Sequence, residues 1–324
     1  MARPEAAFAH YESQLRQAEA TVLLAQRQWR RMSLDDLDRS WAQIVQRLTV
    51  MVASGMLGAA KAGAAYVPEA LDDGSAAGLV AAGPFARAAS DGRALDSLLY
   101  SAVVRVKTNL NGGTSPQDAL AAGGAWLDTL TRTQVADAGR GAAGVAITAT
   151  PRAGYERMVT PPCCQRCAVL AGKFFRWNAG FQRHPLCDCR NSPILEGQQR
   201  SPSAISPTDV KDLTLAQRAA IADGADLNQV VNAKRGRSGM TTTEGTTRRG
   251  YASYVRREVA RQRGLVERET VSRGTGRRNM TRTQPRLTPE TIHRLASTRE
   301  EAVRLLALNG YIVGDVAAVA ARVA

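Results

Sequence analysis

The sequence predicts a mainly helical α+β protein: an N-terminal helical domain, a small α+β core closed by a Cys/His knuckle, and a basic tail with a C-terminal helical hairpin. Three observations carry that expectation. Much of the first 138 residues repeats apolar side chains at spacings of three and four. The apolar share of 44% is largely alanine and valine, with only 5% aromatics, which suits close-packed helices better than a thick sheet sandwich. All five cysteines fall between positions 163 and 189, where short strand-like runs replace the helical pattern.

Residues 1–138 read as the helical domain. Phe8, Tyr11, Leu15, Ala18, Val22 and Leu23 give a first helix over 4–31. Ser33 with Asp35 and Asp36 supplies a capping hydroxyl and first-turn acids for a second, over 34–65, which Pro68 ends. A Gly/Ala/Ser-rich loop follows at 71–92, then a helix at 95–109 closed by Gly112 and Gly113. Ser115 and Pro116 open another, expected to run to about Ala138.

Residues 139–200 read as the small α+β core, with strands at 145–149, 155–159, 173–177 and 191–195. Residues 201–286 form a linker and basic arm. Within them Thr214 and Gln217 make a capping box, Gly224 closes that helix, and Asp226 caps another turn. Residues 287–324 form the hairpin: Thr288-Pro289-Glu290 opens one helix, Ser297 or Thr298 caps the next, and Asn309-Gly310 stops it. Its second helix opens with Glu300 and Glu301, acids that would repel DNA, so the hairpin reads as a protein contact. The N-terminus lacks the pattern of a secretory signal. The longest uncharged apolar stretch, 48–60, is shorter than the ~20 residues a bilayer span needs, so no membrane anchor is expected.

The net charge of +14 and a pI near 10.2 point to a polyanionic partner. Residues 234–286 hold 15 Lys+Arg against 4 Asp+Glu, a surplus of 11, so most of the excess sits there. Arg235, Arg237, Arg248, Arg249, Arg256, Arg257, Arg261, Arg263, Arg277, Arg278 and Arg282 make this stretch a candidate phosphate-binding arm. Guanidinium groups pair with phosphates without reading bases. The same charge also suits acidic protein surfaces.

The cysteine cluster carries the sharpest chemistry. Cys164 and Cys167 have the C-x-x-C spacing that lets two thiolates on one turn share a tetrahedral ion. His184, Cys187 and Cys189 offer further ligands on a proline-stiffened loop. Structural zinc held by four of these five is the leading reading; Cys163 is a spare thiol or an alternative ligand. Disulfides, a catalytic Cys163 or Cys164 with His184 as base, and incidental thiols are the competing ones.

The run Cys164-Gln-Arg-Cys167-Ala-Val-Leu170-Ala-Gly172, followed by His184-Pro185-Leu-Cys187-Asp-Cys189, resembles the signature of phage minor head proteins of the Mu F type. It is most similar to the version carried by tailed phages of actinobacteria. Thr131-Arg132-Thr133-Gln134 is similar to that family's Arg-Thr-Glu helix, with Gln134 replacing the usual acid. Ala225–Val231, Gly239–Thr247, Leu287–Glu290 and Asn309–Ile312 are similar too, so the resemblance spans residues 115–315.

The resemblance implies a low-copy head component. It would contact the portal protein and major capsid protein and be packaged with double-stranded DNA, assisting head assembly or DNA delivery. Its place would be the host cytoplasm during assembly and then the virion head. Relatives labelled capsid maturation proteases make that activity the alternative, with a non-specific DNA-binding protein the third. The residues themselves single out no catalytic set: the histidines are His10, His184 and His293, and no orienting acid is identifiable.

Overall fold

The computed structural model describes residues 4–179, 189–198, 205–232 and 287–324, and these form a mainly helical α+β fold with one small sheet. Helices α1 (Pro4–Trp29), α2 (Leu37–Leu71) and α5 (Pro116–Ala149) are the long members, with α2 packed against both others. Short helices α3 (Leu95–Leu99) and α4 (Ser101–Asn111) lie beside them, broken at Tyr100 where one helix was expected.

Two boundaries differ from the expectation for a shared reason. Pro68 lies inside α2, whose last turn runs on to Leu71 and ends at Asp72 in the left-handed region (φ 55°). Helix α5 continues eleven residues past Ala138 and absorbs the strand expected at 145–149. Its glycines read as breakers, yet they serve packing. A Cβ on Gly63 of α2 would stand 2.2 Å from the carbonyl oxygen of Gly139, and one on Gly139 would strike the Gln14 amide at 2.5 Å. The helices touch backbone to backbone there, and the tertiary contact outweighs the low helix propensity of glycine.

Helix α2 is also longer than its apolar core at 48–60 suggested. By length and composition it could cross a membrane; here it is the central helix of the bundle.

Strands β1 (Ala153–Met158), β2 (Phe174–Arg176) and β3 (Arg190–Leu195) form an antiparallel sheet in the order β2-β1-β3. Tyr155 pairs with Phe175 on one side and Pro193 on the other, and Pro193 is tolerated because β3 is an edge strand. Helix α6 (Gln165–Ala168) lies between β1 and β2. Helices α7 (Leu215–Ala222) and α8 (Leu227–Asn232) follow, α7 opening with the expected capping box.

The hairpin helices α9 (Pro289–Leu295) and α10 (Arg299–Leu308) form with the expected caps Thr288 and Thr298, and a further helix, α11 (Val316–Val323), follows. Their apolar face, with Ile292, Val303 and Leu306, is buried in this chain's own core. Arg299 donates to the carbonyls of Thr150 (2.6 Å) and Ala153 (2.5 Å), capping the end of α5 with a cation. The loop at 71–92 joins the same unit, with the Ala81 N–H donating to the Tyr311 carbonyl at 2.9 Å.

Candidate functional site: the cysteine knuckle

A second, smaller core gathers Cys163, Cys167, Ala168, Cys189, Val210 and Leu213, with Cys164, Ile205, Ile221 and Leu227 packed against it. Two stretches build it. Residues 163–168 turn into α6, where Cys164 is the N-cap and its sulfur accepts the Cys167 N–H at 3.4 Å. Residues 205–231 wrap over that turn. The Cys163 N–H donates to the Asp209 carbonyl (2.9 Å), and the Lys211 N–H donates back to Cys163 (3.0 Å). The Gln165 N–H donates to the Asp212 carboxylate at 2.6 Å, and Gln217 donates to the Gln165 side chain at 3.2 Å.

Cys189 arrives from the other side, at the start of β3, and arginines hold it. Arg140 of α5 donates to its carbonyl at 3.0 Å while pairing with Asp137 at 2.8 Å, all of it buried. Arg190 donates to the same carbonyl at 3.2 Å and lies over the Tyr11 ring, 5.0 Å from its centroid. Arg157 of β1, 1% exposed, points one guanidinium nitrogen at the Cys189 sulfur (3.0 Å) and the Cys167 sulfur (3.7 Å).

Lys173, Arg176, Arg183 and Arg190 lie near the cysteines in sequence, where a cation would favour a thiolate. Lys173 and Arg176 face solvent, Arg190 turns to a carbonyl and a ring, and Arg183 lies outside the described residues. Arg157 takes that place. The signal for it was an arginine on the inward phase of a strand, two residues after the buried Tyr155.

Of the expected ligands, the structure brings Cys164, Cys167 and Cys189 into one cluster; His184 and Cys187 lie outside the described residues. Among the described residues no disulfide forms, and no group of three or more His, Cys, Asp and Glu side chains is arranged to hold a metal ion. Cys163 is buried, and its thiol is pushed up to about 11, first by burial and then by nearby Cys164, Asp209 and Asp212. Such a thiol is a poor nucleophile at neutral pH.

Neither described histidine is poised as a base. His10 stacks on Tyr66 (centroids 4.2 Å, planes 3° apart), and burial, then the charge of Arg190, lowers its pKa to about 4. His293 sits with Nε2 3.0 Å from the hydroxyl of Thr148, which itself donates to the Gly144 carbonyl. Burial lowers its pKa to about 4 as well. Gln134 bonds Ser90 through both amide atoms (2.7 and 3.2 Å) and so latches a loop to α5. All eleven arginines of the candidate phosphate arm lie outside the described residues. No protein-family model matches the chain, and no curated protein or solved structure is significantly similar to it.

Proposed function

We propose that the chain is a minor head protein of a tailed phage, built into the particle beside the portal and coat and packaged with double-stranded DNA. What supports the reading is the way its motif-bearing segments are joined. The Thr131–Gln134 helix, the C-x-x-C turn and the Cys189 strand meet through Arg140, Arg157 and the wrapped segment 205–231. Such a body suits a structural component: His10, His293 and Cys163 are engaged in packing. The basic arm adds a non-specific DNA contact whose strength comes from counterion release.

The knuckle serves this function as a cross-link. The C-x-x-C spacing of Cys164 and Cys167 suits zinc, Cys189 packs into the same small core, and His184 and Cys187 would supply the remaining ligands. Bound zinc would contribute folding free energy to a core with few large apolar side chains.

Peptide mass spectrometry on purified virions of the encoding phage tests the function. Full-length chain at low copy, with peptides across 234–286, is the expected result. Absence from mature particles, or a chain cut at defined sites, would favour the maturation protease instead.

A further inference from the structure

Residues 287–324 follow the basic arm in sequence, yet they are seated on the N-terminal bundle. Helices α9, α10 and α11 all pack on α5, and Leu287, Ile292, Val303 and Leu306 lie fully buried in the same core as Leu48 and Val135. Polar contacts fix the seat on several sides. Ile312 bridges antiparallel to Val80, and the Val313 N–H donates to the Leu79 carbonyl at 2.8 Å beside the Ala81–Tyr311 bond. The Tyr311 ring lies 5.0 Å from that of Phe85, which sits against Gly141 of α5. Arg322 reaches the Ser75 carbonyl at 3.2 Å. Arg299 holds the carbonyls of Thr150 and Ala153, so its charge stands at the negative end of α5.

All these contacts are made by residues outside 233–286. Apolar burial and charge-assisted hydrogen bonds do not need a covalent link between the two surfaces. What the connector supplies is effective concentration, on the order of millimolar at most for a flexible chain. We propose that 287–324 is a non-covalent latch: it holds the bundle by its own contacts, so the chain remains one body when the backbone between 232 and 287 is cut. The basic arm is then a loop anchored at both ends of one body, not a tail. This inference is independent of the head-protein reading.

The test uses full-length chain with a site-specific protease sequence inserted between Gly274 and Thr275. After cleavage at micromolar concentration, size-exclusion chromatography with light scattering should show both pieces eluting together at the mass of the uncut chain, separating only in denaturant. Arg299→Met, which removes both bonds to the α5 end, should weaken that hold about tenfold or more. Arg304→Met, whose side chain is exposed and pairs only along its own helix with Glu300, should leave it unchanged. A C-terminal piece that elutes alone in native buffer overturns the proposal, as does an Arg299→Met chain whose cut pieces hold as tightly as wild type. If the folded chain resists the protease, the pieces are made in denaturant and refolded beside uncut chain. Pieces that stay apart while the uncut chain refolds overturn it equally.

Discussion

His293 shows at the residue scale how the protein uses its ionisable groups. Its ring meets the Thr148 hydroxyl and the Trp177 indole edge-on, Arg299 lies over the same indole, and burial disfavours its protonated form. The unfolded chain takes up its proton near pH 6.5, the folded chain only near 4. Between those values protonation favours the unfolded state, so stability falls as pH drops through that window. His10 acts in the same direction. The contribution of His293 is at most about 3 kcal/mol, the shift from 6.5 to about 4 setting the upper bound. Urea unfolding at pH 7 and pH 4.5 should therefore show a smaller loss in His293→Gln than in wild type; an equal loss contradicts the assignment. The cysteine spacing was legible because ligand chemistry is local in sequence. Arg157 and Gln134 were not, because an arginine on a strand or a glutamine on a helix announces nothing until the sheet and the loop at Ser90 bring partners to it.

At the scale of elements, caps and turns were legible and the long helix was not. Ser115, Thr214, Thr288 and Thr298 cap helices through their own side chains, because an N-cap needs only a short polar residue beside the first turn; at α2 the cap is Asp36, not the expected Ser33, and the helix starts at Leu37. The α5 extension depends on Gly139 meeting Gly63, a contact between residues distant in sequence. Local propensity and that packing point opposite ways, and packing prevails. The two kinds of glycine separate by mutation. Gly63→Ala places a methyl group 2.2 Å from a backbone oxygen, and should cost about 1–3 kcal/mol or more, seen as a lowered Tm. Gly144→Ala meets nothing closer than the His293 ring at 3.9 Å, so the better helix propensity should stabilise by up to about 1 kcal/mol. Equal Tm shifts in the two variants would contradict the close-crossing account.

The whole molecule divides its labour between a large alanine-rich core and a small cysteine-centred one, with most of the excess charge on residues 234–286. If that charge tracks DNA, binding of the full chain to duplex DNA should be indifferent to sequence and fall steeply with salt. With six or more phosphate contacts the loss is about 10³-fold or more between 50 and 200 mM. Replacing the eleven arginines with glutamine should remove most of that slope, and a near-flat salt dependence in the unaltered chain would instead favour a protein surface as the partner.

The small core is where fold and function meet, since few large apolar side chains hold 205–231 over the C-x-x-C turn. The most direct measurement is therefore the metal content of full-length chain purified under reducing conditions, read by elemental analysis alongside thiol titration. The account predicts close to one zinc per chain, thiols that react fully only after chelation, and cleavage by trypsin within 157–231 once the metal is removed. A metal-free chain whose five thiols titrate freely, or are already paired as disulfides, while 157–231 stays protease-resistant, would contradict it.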